Sequence, residues 1–127
     1  MRKTVIIYIL FTLASNFCIA QSTSADSIHF AAEKHFANVQ QLTFGGDNAE
    51  AYFSFDGKWL IFQKTNPKEG ILCDEMFIGK IPTTSVEKFE PIRISTGKGR
   101  TTCGAFTKDC KHVIYASTHL GADTCPP

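Results

Sequence analysis

The chain carries one twelve-residue phrase twice. Ala51-Tyr52-Phe53-Ser54-Phe55-Asp56-Gly57-Lys58-Trp59-Leu60-Ile61-Phe62 returns as Gly104-Ala105-Phe106-Thr107-Lys108-Asp109-Cys110-Lys111-His112-Val113-Ile114-Tyr115, 53 residues later. Phe53, Asp56 and Lys58 recur unchanged, Ser54 becomes Thr107, and Leu60-Ile61-Phe62 becomes Val113-Ile114-Tyr115. Just upstream, Leu42-Thr43 answers Ile94-Ser95 with one residue of slippage. A period of this size is the mark of an array of small β-sheets, whose units run to about 40–50 residues. Such a unit cannot cover its own faces, so each needs a neighbour. A repeat therefore constrains architecture more tightly than activity.

Each copy reads as a hairpin. Asp56-Gly57 is turn chemistry: glycine accepts positive φ without steric cost, and aspartate bonds its own backbone across the turn. Ala49–Ser54 precedes it with period-two character, and the apolar, aromatic run from Lys58 to Lys64 follows. Asn66-Pro67-Lys68-Glu69-Gly70 is a loop, and Glu75–Ile81 is a further strand stopped by Pro82. A strand near Val39–Phe44 is expected to open the unit, giving four short strands. Thr83–Glu90 is a polar connection, Ile92–Ser95 opens the second unit, and Thr101–Thr107 with His112–Ser117 repeats the hairpin. Cys110 stands where the first copy has Gly57, so the second turn either changes type or holds a side chain in glycine's conformation.

Ahead of the repeats lies an export signal in three parts. Arg2 and Lys3 are basic, Val5–Ala14 is apolar save for Thr12, and Cys18-Ile19-Ala20 supplies small residues before Gln21. An uncleaved anchor is the alternative, but the run falls short of the ~20 apolar residues of a span, and Ser15 and Asn16 interrupt it. Residues 1–20 are thus read as a signal peptide, and the mature protein as periplasmic or extracellular with no stable membrane span. Residues 21–38 form a leader, a short helix or a loop. Net charge is +1, without the basic stripe of a nucleic-acid binder. Cys18 leaves with the signal; Cys73, Cys103, Cys110 and Cys125 remain, in a compartment where disulfides persist.

The phrase Leu42-Thr43-Phe44-Gly45-Gly46, followed by Tyr52-Phe53-Ser54-Phe55-Asp56-Gly57-Lys58-Trp59-Leu60-Ile61-Phe62, resembles the WD40-like PD40 repeat of TolB-type propellers. That repeat runs Leu-Thr, then Phe-Ser-Pro-Asp-Gly-Lys, then a short apolar strand. Phe55 replaces its proline here, and Lys108 and Cys110 replace proline and glycine in the second copy. The likeness spans roughly residues 39 to 127. It implies an all-β fold, an incomplete β-propeller of about two four-stranded antiparallel blades. The first blade would occupy residues 39–91 and the second, incomplete, residues 92–127. Propellers have about 4–8 blades, so the remainder is expected in the same, longer chain. TolB-like propellers are exported and usually non-catalytic, and the same repeats also precede serine and zinc peptidase domains.

Folding the second unit about Asp109-Cys110 sets Cys103 near Ala116, at the rim where Thr118–Pro127 departs. Cys73 belongs to the same rim and Cys110 to the opposite one. A Cys103–Cys125 disulfide is the expected pairing, with Cys73 the competing partner for either. His119 and Asp123 join this rim, but the spacing matches no Cys-x-x-Cys or His-x-x-x-His metal arrangement. Asp47, Glu50, Asp74, Glu75 and Asp123 also collect there, either as an acidic mouth for cationic groups or a peptide N-terminus, or as solvated loop carboxylates. Trp59, Phe62 and Tyr115 are expected to pack between blades. No catalytic or cofactor motif occurs: there is no Gly-x-Ser-x-Gly, no His-Glu-x-x-His and no complete phosphate loop around Gly97-Lys98-Gly99-Arg100.

The reading that follows is an exported, non-catalytic propeller scaffold that engages a protein or peptide through one rim and takes no cofactor. The alternatives are the N-terminal propeller portion of a secreted peptidase and, more remotely, a glycan-binding module.

Overall fold

Asp56-Gly57 turns the chain from β1 (Asp47–Phe53) into β2 (Trp59–Asn66). In the computed structural model, residues 32–36 and 39–126 are described, so the expected signal peptide and most of the expected leader fall outside the described residues. The turn is held from both sides. The Gly57 N–H donates to Ser54 O (2.9 Å), and the Ser54 N–H donates to Trp59 O (2.9 Å). The Ser54 hydroxyl donates to Asp56 Oδ1 (2.6 Å) and accepts from the Trp59 N–H (2.9 Å). Asp56 Oδ1 also accepts from the Lys58 N–H (3.1 Å). Gly57 has a φ of 70°, which a turn residue with a Cβ adopts only under strain.

The second hairpin, β5 (Thr101–Phe106) and β6 (Val113–Ser117), reproduces this turn bond for bond. The Thr107 hydroxyl donates to Asp109 Oδ1 (2.5 Å), the Lys111 N–H donates to the same oxygen (3.1 Å), and the His112 N–H donates to Thr107 Oγ1 (3.2 Å). The Cys110 N–H donates to Thr107 O (2.9 Å). Cys110 keeps the left-handed conformation of its counterpart, at φ 56°. The turn type is therefore conserved between the copies, and the side chain accepts the strain. Both hairpins also bulge at the same place. Register slips between Ala49 and Tyr52 in β1 and between Thr102 and Ala105 in β5, with Glu50 (φ 50°) and Cys103 (φ 55°) as the left-handed residues.

β2 continues through one turn of 3-10 helix (Pro67–Glu69) into β3 (Ile71–Lys80), which pairs antiparallel with β2 from Trp59↔Lys80 to Asn66↔Ile71. The Asn66 side chain caps that turn by accepting the Lys68 N–H (3.2 Å), and Gly70 closes it in the left-handed region. The fourth strand, β4, is Ile92–Arg93, paired to Phe77 and Ile78. This moves two expected boundaries. Residues 39–44 form no strand, and Ile92, expected to open the second unit, instead completes the first sheet. The reason is partner supply: β1 already lies at one edge, whereas β3 offers a free ladder to the chain returning from residues 81–91. The described residues thus form a four-stranded antiparallel meander, β1-β2-β3-β4, and a two-stranded sheet, β5-β6. The second sheet has two strands, without the Ile92–Ser95 strand expected to open it, and no closed propeller is formed among the described residues.

The two sheets pack face to face, and the contact turns on Gly104. A Cβ at that position would come within 2.7 Å of Ile61 Cδ1 and would also strike Met76 Cε. With only hydrogen there, β5 lies directly on Ile61 and Met76, both fully buried. Thr101, also fully buried, donates its hydroxyl to Asp74 O (3.1 Å), and the Thr102 hydroxyl donates to Gln63 Oε1 (2.7 Å). The opposite face of the four-stranded sheet is covered by its own connection. Phe62 stacks with Phe77 (centroids 5.9 Å apart) and meets Phe89 (6.0 Å), with Leu60 and Ile71 alongside. Phe62 is therefore buried against the 81–91 connection and not between the sheets. Full burial of one such side chain contributes about 1.5–3 kcal/mol.

Two outcomes follow. Gly104→Val should destabilise the protein by about 1–3 kcal/mol through overpacking, read as a lowered denaturant midpoint at unchanged slope; an unchanged midpoint would refute the seam. The Asp56 carboxyl is held below its ordinary value by the Ser54 hydroxyl and then the Lys58 N–H, and that of Asp109 by the Thr107 hydroxyl and then the Lys111 N–H. A carboxyl lowered on folding stabilises fully above its unfolded value, and that contribution disappears as pH falls through the folded one. Melting temperature should therefore drop between about pH 4 and pH 2, and an Asp56→Ala, Asp109→Ala variant should show a shallower drop over that interval.

Candidate functional site

One end of the first sheet gathers three segments: the Pro67–Glu69 turn, the 95–100 connection and the 118–125 segment. The other end carries the tight turns at Asp56 and Asp109 and the 81–91 connection, which leaves β3 beside Lys58 and folds back with Phe89 over the sheet. Cys125 returns across the loop end to Cys73 on β3, and the two form a disulfide with Cα atoms 5.5 Å apart. This corrects the expected Cys103–Cys125 pairing. Folding β5 without its bulge set Cys103 opposite Ala116, but Thr102 is the residue paired there. The bulge leaves Cys103 exposed with a free thiol, and Cys110 is free at the opposite turn. The crosslink spans 52 residues of sequence. Closing a loop of that length stabilises by about 4 kcal/mol in the chain-entropy account. It also joins the second repeat's tail covalently to the first repeat's third strand.

The acidic residues expected at this rim occupy three different environments. Asp47 is exposed at the start of β1 and in register with Thr65. The Thr65 hydroxyl in turn donates to Asp74 Oδ1 (2.6 Å), so Asp47 and Asp74 flank one threonine. Asp74 also faces Arg100 Nε (3.5 Å). Asp123 is held by Lys98 Nζ (3.0 Å), and its carbonyl accepts the Gly99 N–H (3.0 Å). Glu69 in the 3-10 turn receives Lys64 Nζ (2.6 Å), a contact the sequence reading did not include. Cations are thus interleaved with the acids, and the rim is a mixed-charge surface rather than a bare acidic mouth. Exposed pairs of this kind contribute little each, about 0–1 kcal/mol, but they orient the loops.

Glu50 and Glu75 depart from the expected rim. Glu50 sits in the β1 bulge, near mid-strand, where its Oε2 accepts the Tyr52 hydroxyl (2.7 Å). That bond and the Glu50 charge raise the Tyr52 hydroxyl above its ordinary pKa. Glu75 is in register with Lys64 and only 3% exposed. It is an interior carboxylate: its Oε2 accepts from the Ser95 hydroxyl and from the Gly97 N–H (3.3 Å). The Ser95 oxygen also accepts the Met76 N–H (3.0 Å). Lone burial of glutamate leaves no periodic signature, because strand alternation near Glu75 is blurred by apolar residues on both faces.

His119 Nδ1 is 2.7 Å from Ser117 Oγ, and the same oxygen accepts the His119 N–H (3.3 Å). No carboxylate holds the other ring nitrogen among the described residues, so the pair caps the end of β6 and does not form a nucleophile–base–acid chain. No group of three His, Cys, Asp or Glu side chains converges on a metal position among the described residues. No helix of the described residues is long and apolar enough to cross a membrane. At the loop end, a cavity of about 440 Å³ lies beside the disulfide, with Glu75, Arg93 and Asp123 in its wall. At the turn end, a cleft of about 300 Å³ between the hairpins is lined by Trp59, Ile78, Phe106 and Cys110.

No family model, curated protein or solved structure matches this chain.

Peptide mapping without reductant should recover Cys73 joined to Cys125, with Cys103 and Cys110 alkylated beforehand in the native protein or after unfolding. Recovery of a Cys103–Cys125 peptide would overturn the assignment. Reduction should lower stability by about 2–5 kcal/mol.

Proposed function

We propose that the chain is an exported, non-catalytic scaffold built from TolB-like repeats, which engages a protein or peptide through its loop end. One comparison within the structure carries the array reading. Ile61 in the first hairpin and Ile114 in the second hold the same place in the repeat. Ile61 is fully buried under β5, whereas Ile114 is 70% exposed. Its neighbours Ala105 and Ala116, in line with Tyr52 and Gln63 of the first copy, are exposed too. The second sheet therefore offers the face that the first sheet offers to it, and a further repeat in a longer chain would cover it as β5 covers Ile61.

The two ends of the sheets support the choice of rim. At the turn end the hairpin polar groups are bonded within the Asp56 and Asp109 turns, and the 81–91 connection folds back over its own sheet through Phe89. The loop end presents the mixed charges of Asp47, Lys68, Lys98 and Asp123 on loops tied down by a disulfide. Ordered loops on a rigid sheet lose little entropy on engaging a partner. The three-part N-terminal sequence supports export, as does a disulfide, which persists in oxidising compartments.

Photocrosslinking in exporting cells tests this reading. A photoreactive residue at Asp47 or at Lys68 should give the same discrete adduct, and one at Phe55, at the turn end, should give none. The mature protein should begin at Gln21 in the periplasmic or secreted fraction. Equal labelling from both ends, or retention in the cytoplasm with residues 1–20 intact, would refute it. Ile114→Ala should change stability by under ~0.5 kcal/mol in this chain, against about 2–5 kcal/mol for Ile61→Ala.

A further inference from the structure

The cavity beside the Cys73–Cys125 disulfide contains a carboxylate and a guanidinium that do not meet. Glu75 is 3% exposed, and its only hydrogen-bond donors among the described residues, Ser95 and Gly97, are neutral and both address Oε2. Oε1 accepts no hydrogen bond from a described residue. Every fully buried side-chain nitrogen or oxygen among the described residues does have a partner. Oε1 therefore keeps access to open space, and the space that Glu75 lines is this cavity. The one cation in register with Glu75, Lys64, sends its ammonium to Glu69 instead (2.6 Å). A buried carboxylate served by neutral donors alone retains much of its desolvation cost, and an opposite charge placed beside it recovers part of that.

Arg93 stands on the other side of the same residue. Its guanidinium lies over Gly97, where an added Cβ would come 3.1 Å from Cζ. Arg93 makes no ion pair among the described residues; the acids nearby are matched elsewhere, Asp123 with Lys98 and Asp74 with Arg100. Gly97 thus gives its N–H to Glu75 and its α-carbon face to Arg93. A buried carboxylate and an exposed guanidinium, neither in an ion pair among the described residues, thus flank Gly97 in the wall of a cavity of about 440 Å³, a volume within the range of small-molecule sites. Ile71 and Leu72 add apolar wall to that space.

We infer that this cavity binds a free α-amino acid with an apolar side chain. The ligand's ammonium donates to Glu75 Oε1, its carboxylate takes the Arg93 guanidinium, and its side chain lies against Ile71 and Leu72. The match is one of charge: an α-amino acid carries an ammonium and a carboxylate on either side of a single carbon, as Glu75 and Arg93 lie on either side of Gly97. Two charge-assisted contacts and a small apolar contact place the affinity at about millimolar or tighter. The site needs no protein partner, so it stands or falls independently of the scaffold reading.

Titration calorimetry on the full mature chain, disulfide intact, decides it with three probes. L-leucine carries both charges, L-leucinamide only the ammonium, and N-acetyl-L-leucine only the carboxylate. Leucine should bind, and each capped form should bind at least about tenfold more weakly. Glu75→Gln should weaken leucine and leucinamide and leave N-acetyl-leucine unaltered; Arg93→Gln should weaken leucine and N-acetyl-leucine and leave leucinamide unaltered. The wild-type series decides the matter alone if either variant fails to fold. No binding of leucine at about 10 mM, or equal binding of all three probes, would overturn the proposal.

Discussion

The absence of a side chain at Gly104 is the constraint on which the arrangement of the two sheets depends. β5 can rest on Ile61 and Met76 only because nothing projects from its middle. That close approach seals one face of the first sheet, and the buried threonine at position 101 locks it with a hydrogen bond to the β3 backbone. Dense apolar contact and a satisfied polar edge then reinforce each other: the hydroxyls of Thr101 and Thr102 find partners across the seam, so no polar group is stranded there. The first sheet's other face needs no second sheet, since Phe89 folds over Phe62 and Phe77 from the connection that leads to β4.

The duplicated turn shows how far local chemistry reaches. Ser54 and Thr107, Asp56 and Asp109, and the backbone N–H groups of Lys58 and Lys111 make the same bonds in both copies. These contacts are short-range, each between residues two apart in sequence. They hold so firmly that Cys110 takes a left-handed conformation suited to glycine. The paired bulges at Glu50 and Cys103 are equally faithful between copies, yet nothing in the residue types at those positions announces them. Their consequence is global: a bulge turns Cys103 to solvent, and that leaves Cys73 as the partner for Cys125.

The loop end illustrates a different economy. Its charges are paired across elements distant in sequence: Lys98 with Asp123, Arg100 with Asp74, Lys64 with Glu69. The disulfide holds those elements in one place, and the pairing neutralises what composition alone presents as an acidic cluster. Glu75 and Arg93 are left outside that pairing. Their isolation is visible only once their neighbours have been matched with one another.

The repeat, the two hairpins, the Asp-centred turns and the all-β character were legible in the residues themselves, because each rests on contacts within about a dozen positions. The end of β3 followed from Pro82 for the same reason, whereas its start at Ile71, ahead of the expected Glu75, did not. Other features depended on elements meeting in space. β4 joined the first sheet because β3 had a free edge, and no property of Ile92 or Arg93 foretells that. Cys73 met Cys125 because a bulge displaced Cys103. Glu75 became interior because the 95–97 connection closed over it. Amino-acid order thus determined the local geometry of this protein, through turn chemistry and strand alternation, whereas tertiary packing decided which edges, thiols and charges found partners, since those choices depend on proximity that no short stretch of chain encodes.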